Sequence, residues 1–558
     1  MVTLETSHKE LNKCVGKNLK LKELEETLFD MGYELDKVEG DELKIDITAE
    51  RPDLLSTQGI ARAIKSYLGL KVEDYKIKKS NDKLIVKDTA KEWPYAIACI
   101  VKGLKFDEEK IKEVIRIQEK LGATFLRKRK KGGLGLYELK NIKFPVTFTS
   151  LDPKKIKFRP LEYPKEINGL EVLEKHPTGQ KYKHLMEAKE RGVGLWNKFP
   201  VFIDANNKIL SMPPIINSHD FGKISNSTTD VFVEGTGTDL KTINLALEVL
   251  VGALIDMGGV CYSIDVVYDK EKFVVPSFKE EKRTIKVDYV NKILGLNLKS
   301  KDIKKYLEKM GYKISSLNEK VLQIVVPGTR SDIWHDIDVV DDIARAYGFN
   351  NFELNIKPVA TTGSTTSDVL VKEDVSKLMI GLEYQEVFTL ILSSKEDQFE
   401  NMNIKEIPHI KLSTSVEQSL NIARVWLLPE LMKCLRNNRS VEYPHKLFEI
   451  NYVIHPDSSK DVLSRDVFKL SSVSCHSGAN FTEVKQLLDY LMNCLGLNYS
   501  IKEAEHGSFI SGRVGKVIVQ NKEVGVVGEI HPKVINNFGL ELPVVALELD
   551  LTEIFNLN

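Results

Sequence analysis

The 558-residue chain lacks the marks of several function classes. It has no Cys-x-x-Cys pair. Its six cysteines (Cys14, Cys99, Cys261, Cys434, Cys475 and Cys494) are scattered, which argues against a zinc or disulfide framework and for thiols used as small core residues in a reducing compartment. No stretch of about 18 apolar residues occurs, and Met1-Val2-Thr3-Leu4-Glu5 lacks the apolar run of a secretory leader. A cytoplasmic protein without membrane contact is expected. Net charge is also absent: Lys plus Arg and Asp plus Glu stand at 80 each, so no global field draws the chain to a polyanion, and any such site must be local. Gly132, Gly133 and Gly135 do not follow a clear strand, so a dinucleotide site is not expected there.

What is present is a long internal repeat. Asn18-Leu19-Lys20, Met31-Gly32-Tyr33 and Arg51-Pro52-Asp53 return 279 residues later, without a gap, as Asn297-Leu298-Lys299, Met310-Gly311-Tyr312 and Arg330-Ser331-Asp332. Apolar positions between them match, Leu24 with Ile303, Leu28 with Leu307 and Ile45 with Ile324. After a four-residue shift Ile60-Ala61-Arg62-Ala63 returns as Ile343-Ala344-Arg345-Ala346. Solenoid repeats run at roughly 20–50 residues, so this is one module used twice in a chain whose length suggests about three to five domains.

Each module begins with a helix. In the second, Ser300 is a candidate N-cap, Ile303, Tyr306, Leu307 and Met310 recur at helical spacing, and Gly311 is a natural stop. Val321–Val326 reads as a strand, Pro327-Gly328 as a turn and Val339–Tyr347 as a second helix, a small α+β unit resembling helix-turn-helix folds. Between the modules, Tyr95–Leu104, Phe199–Asp204, Lys208–Met212 and Val231–Glu234 read as strands, Glu108–Leu121 and Asn244–Asp256 as helices. The run Arg127-Lys128-Arg129-Lys130-Lys131 reads as a solvated loop or as an RNA phosphate contact. Asp269–Arg283 and Pro358–Asp368 have linker composition. Beyond them, helices at Asp368–Met379, Pro429–Asn437 and Phe481–Leu495 alternate with strands at Lys446–Ile450, Lys516–Val519 and Val544–Asp550, a mostly antiparallel α+β domain.

The two modules diverge at an acidic cluster. Asp338, Asp341 and Asp342 are spaced i, i+3, i+4 on one helix face, with Asp332 arriving from the preceding loop. A solvated acidic face is one reading. Hard oxygen ligands for Mg²⁺ or Ca²⁺ are the other.

At these motifs the sequence resembles the β subunit of phenylalanyl-tRNA synthetase, of the archaeal or eukaryotic-cytosolic type, over essentially its whole length. Arg51-Pro52-Asp53-Leu54-Leu55 with Gly59-Ile60-Ala61-Arg62 matches the N-terminal signature. Met212-Pro213-Pro214-Ile215-Ile216-Asn217 and Glu234-Gly235-Thr236-Gly237-Thr238-Asp239 look like the editing domain, and Gly528-Glu529-Ile530-His531-Pro532 recurs near the C-terminus. Glu50 stands where the family usually has Asn. Neither an inserted oligonucleotide-binding domain nor an anticodon-binding extension is expected.

The resemblance implies a module at 1–90, an editing-type domain at 91–270, a second module at 271–355, and at 356–558 a domain similar to a class II synthetase catalytic core but without an active site. Glu449 and Gly525–Gly528 there lack an arginine at the spacing an ATP site needs. The implied partners are an α subunit, which holds ATP and the aminoacylation site in an α₂β₂ assembly, and tRNA(Phe). The implied magnesium ligands are Asp332, Asp338, Asp341 and Asp342, and the implied editing residues are Glu234, His184, Asn217 and Thr236, acting on Tyr-tRNA(Phe). Two other functions stay open: a free-standing hydrolase of mischarged tRNA, against which the long C-terminal domain argues, and a nonenzymatic RNA-binding scaffold, which zero net charge weakens.

Overall fold

A computed structural model describes residues 2–187, 194–356, 359–415, 417 and 419–557. The chain divides into two compact units, Met1–Asn355 and Ile356–Asn558. No helix among the described residues is long and apolar enough to cross a membrane.

The repeat is deeper than its sequence identities. Each copy is a three-stranded antiparallel sheet carrying three helices: strands Val2–Ser7, Glu34–Glu39 and Glu42–Ile47 in the first, Glu281–Lys286, Lys313–Leu317 and Val321–Val326 in the second. The helix after the first strand ends on a left-handed glycine in both, Gly16 at φ 73° and Gly295 at φ 67°. An asparagine side chain then clamps the next turn. Asn12 pairs with both backbone groups of Leu19, and Asn291 does the same for Leu298. The second copy's final helix runs Asp336–Tyr347 against Thr57–Tyr67 in the first. With Ile343 matched to Ile60, the four-residue shift is one extra helical turn at its N-terminus. Ser300 is the first helical residue rather than the cap, and the Asp302 carboxylate accepts from the Lys299 N–H.

Between the modules lies a ten-stranded sheet. Its strands follow the order Ile216–Asn217, Ile209–Met212, Phe199–Ile203, Val146–Leu151, Ile77–Val86, Val260–Val267, Tyr95–Lys102, Val231–Gly237 and Gly132–Glu138, with Lys272–Val275 added beside Val260–Val267. Two expectations change here. Ile77–Val86 and Lys272–Val275 belong to this sheet, so the first module ends before residue 77 and Asp269–Arg283 is not purely a linker. The glycines 132, 133 and 135 are strand residues, and at two of them a neighbouring strand leaves no room for a side chain: a Cβ on Gly132 would lie 2.7 Å from the Thr236 carbonyl, and one on Gly135 would run into Glu234.

The second unit is built on a seven-stranded sheet, antiparallel except at its Gln385–Glu386 edge. Helices Ser367–Gly381 and Phe481–Cys494 pack on one face, and Leu428–Asn437 on the other.

Candidate functional site

The strand Val231–Gly237 is buried at all seven positions, paired to Tyr95–Lys102 on one side and Gly132–Glu138 on the other. Glu234 is therefore a central-strand residue rather than a strand end. Its cross-strand partner is Gly135, where a Cβ would stand 2.4 Å from Glu234 Oε1, so only glycine leaves space for the carboxyl. Two residues along the same strand face, Tyr137 donates its hydroxyl to Glu234 Oε1 at 3.1 Å and lies 3.3 Å from Asn217 Oδ1. Burial pushes the Glu234 carboxyl up to about 8, against a smaller lowering from Tyr137. At neutral pH it is an uncharged acid. Among the described residues its Oε2 has no partner, and neither does the buried hydroxyl of Thr236.

Glu234 and Thr236 border a cavity of about 60 Å³ lined also by Asn217, Pro214, Gln118 and Arg129, among others. Three of the four candidate editing residues thus come together. His184 does not: it is exposed, its Nδ1 lies 3.1 Å from the carbonyl of Lys181, and it is absent from the cavity wall. Sequence reading missed Tyr137. The signal for Tyr137 was its two-residue spacing from Gly135, visible only once Gly132–Glu138 is read as a strand.

The four aspartates of the second module are not brought together. Arg330 forks onto Asp332 (2.8 and 2.6 Å) and also reaches Asp342 at 2.8 Å, with Tyr312 donating to the same Asp342 oxygen at 2.6 Å. Asp338 accepts from the backbone N–H groups of Trp334 and His335. Asp341 is exposed and pairs with Arg345. Among the described residues no group of three or more acidic, His or Cys side chains is placed to hold a metal. The set as it stands does not fit a common magnesium ion, because its charges are already met by two arginines and a helix N-terminus. The first module shares the fork: Arg51 grips Asp53 at 2.9 and 2.8 Å and donates to Tyr33 at 3.1 Å. It lacks the counterpart of Asp342. Gly59 stands there, and a Cβ on it would lie 2.0 Å from the Asp53 carbonyl.

Three family models match: the Phe-tRNA synthetase beta subunit B1 domain at residues 1–70, the tRNA synthetase B5 domain at 283–349, and the phenylalanyl tRNA synthetase beta chain CLM domain at 355–551. The phenylalanine–tRNA ligase beta subunit of Pyrococcus abyssi is 37% identical over the whole of both chains. That of Methanocella arvoryzae is 36% identical over 99% of each. This chain belongs to the phenylalanine–tRNA ligase β-subunit family. A crystal structure of an N-terminal fragment of the β subunit from Pyrococcus horikoshii superposes at a TM-score of 0.58 with 34% identity, over 62% of this chain and 99% of the fragment. Family membership makes the chain part of an aminoacyl-tRNA synthetase, a ligase of protein biosynthesis.

The unit matched by the CLM model of this β-subunit family holds a different buried pair. Arg424, wholly buried, donates to Glu449 Oε1 at 3.0 Å and to Thr389 Oγ1 at 2.7 Å. Thr389 and Asn451 also donate to the Glu449 carboxylate. The arginine comes from beside the short strand Ile422–Ala423, not from the glutamate's own strand, and the carboxylate already accepts four hydrogen bonds.

Proposed function

We propose that this chain is the editing and assembly subunit of its ligase, and that the Glu234 cavity clears tyrosine esterified to tRNA(Phe). The observation that carries this is an uncharged, buried carboxyl with one unpartnered oxygen at a cavity of about 60 Å³. Such a group recognises a single phenolic hydroxyl. A tyrosyl ester satisfies Glu234 Oε2, whereas a phenylalanyl ester leaves it unpaired. Sites built this way discriminate by several kcal/mol. Tyr137 holds the carboxyl in place from its other oxygen, and Asn217 and Thr236 orient the ester or the attacking water. The water adds to the ester carbonyl, and the bond to the ribose oxygen breaks to give tyrosine and free tRNA.

Aminoacylation itself belongs to the α subunit, which supplies the ATP site in an α₂β₂ assembly. The Arg424–Glu449 pair supports that division, since the one glutamate that the sequence offers for such a site is already held by Arg424, Thr389 and Asn451. Exposed apolar side chains at Phe388 (79% exposed), Leu390 (64%) and Ile391 support docking of that partner on the second unit. The test is deacylation of Tyr-tRNA(Phe) by the assembled enzyme. With Glu234→Ala, tyrosine clearance is expected to collapse while phenylalanine charging persists. Unchanged clearance overturns the reading.

A further inference from the structure

We propose that Arg129 is a phosphate-binding residue for the single-stranded 3′ end of the RNA whose terminal ester enters the Glu234 cavity; this rests on the tyrosine-clearing function above. Glu234 and Thr236 are buried in the cavity wall, while Arg129, also in its lining, is only half-buried and belongs to the mostly exposed basic run. A volume of about 60 Å³ accommodates part of an amino-acid side chain and not a nucleotide besides. The ribose and its phosphates must therefore stay outside, at the level of Arg129.

The backbone there is held in an unusual form. After the helix Glu108–Ala123, three consecutive residues take left-handed angles, Arg127 at φ 50°, Lys128 at φ 54° and Arg129 at φ 63°. Non-glycine residues enter that region at a cost of roughly 1–2 kcal/mol each. Three backbone bonds impose it, from the N–H groups of Arg127, Lys128 and Arg129 to the carbonyls of Thr124, Ala123 and Gly122. A solvated loop has no need of such a turn, and strain of this kind collects where a side chain must be aimed. The Arg129 stem lies against Gly122, where a Cβ would come within 3.4 Å of it, and its guanidinium lies 4.2 Å over the Tyr182 ring.

The plane of the guanidinium is thus fixed, yet among the described residues no hydrogen bond or ion pair uses its donors. A fixed fork with free donors is the arrangement that reads a phosphate bidentately. Arg127, Lys128 and Lys130 are exposed beside it and likewise have no carboxylate partner among the described residues, in a chain whose charges balance overall. Lys131 is partly engaged elsewhere. It helps the Thr242 N–H to hold the Asp239 carboxyl below its usual range.

The experiment follows deacylation by the assembled enzyme of two esters, tyrosyl-tRNA(Phe) and 3′-O-tyrosyl adenosine, which has no phosphate, between about 50 and 200 mM KCl. For Arg129→Gln, kcat/KM on the tRNA ester is expected to fall about tenfold at the lower salt, and its log–log dependence on salt to become shallower by about 0.7, the share of one single-strand phosphate. The loss on the nucleoside ester is expected to be several-fold smaller. Arg129→Lys, which keeps the charge, is expected to retain the wild-type salt slope with an intermediate rate. An unaltered slope in Arg129→Gln, or equal losses on both esters, overturns the assignment and leaves Arg129 as packing for Tyr182. A wild-type enzyme that hydrolyses neither ester removes the proposed function and this inference together, and is distinguished by that.

Discussion

Tyr137 donates its hydroxyl to Oε1 of Glu234 at 3.1 Å, from the strand position two residues beyond the glycine that faces the same carboxyl. Among the described residues the pair leaves Glu234 Oε2 without a partner and open to a ligand. It also ties recognition to protonation. Burial raises the folded-state carboxyl to about 8, from an ordinary 4.5.

That shift has a sign for stability. Between pH 4.5 and about 8 the folded state binds a proton that the unfolded chain has released. Folding stability conferred on the neutral form is complete below 4.5 and is lost as pH rises through 8. Glu234→Gln, uncharged at every pH, is expected to be more stable than wild type at pH 8 and to show a flatter dependence from pH 5 to 8. Melting curves of the full chain at each pH check this. Parallel curves for the two proteins would mean that Glu234 is charged in the fold.

Gly135 is the position where backbone space and recognition meet. A Cβ there would lie 2.4 Å from Glu234 Oε1 and 2.8 Å from the Tyr137 hydroxyl. Gly135→Ala is expected to push the pair apart, lowering stability by about 1–3 kcal/mol. It should reduce tyrosine clearance at least as much as Tyr137→Phe does. Deacylation kinetics with a thermal melt measure both, and retained clearance in a folded Gly135→Ala enzyme would contradict the geometry.

In the second unit Glu449 is spent on Arg424, Thr389 and Asn451. Arg424→Met should therefore cost about 3–5 kcal/mol, because it strands a buried carboxylate. Glu449→Gln should leave the KM for ATP of the assembled enzyme unchanged. A large rise in that KM would place the carboxylate in nucleotide binding after all.

How much of this was legible in the chain depends on where each signal lies. The second half of each module was readable because Met-Gly-Tyr and the Arg-x-Asp fork hold one local geometry twice. The first strand and helix were not, since Val2–Ser7 and Glu281–Lys286 share no residue at equivalent positions and only Asn12, Lys13 and Gly16 return, as Asn291, Lys292 and Gly295. Glu234 stands out in the sequence, but its strand is cut short there because Gly235-Thr236-Gly237 looks like a turn. Two flanking strands override that local preference. The acidic run was visible as spacing alone. Nothing in the spacing reveals that Arg330 and Tyr312 arrive from other elements to take up Asp332 and Asp342.

Those contacts make the metal question one of competition. Arg330 is buried between two carboxylates, and among the described residues its remaining nitrogen, Nη1, has no partner. A divalent ion reaching Asp332 and Asp342 would have to displace the guanidinium. Breaking such a pair by removing one partner typically costs about 3–5 kcal/mol. The wild-type chain is therefore expected to melt at nearly the same temperature in Mg²⁺ and in EDTA, and to give no Mn²⁺ anomalous peak beside these aspartates. Arg330→Met leaves the two carboxylates facing one another without a cation. It should be destabilised in EDTA and recover part of the loss in millimolar Mg²⁺, which wild type does not. A strong Mn²⁺ peak at Asp332 and Asp342 in the wild-type chain would show that the ion, rather than Arg330, balances their charge.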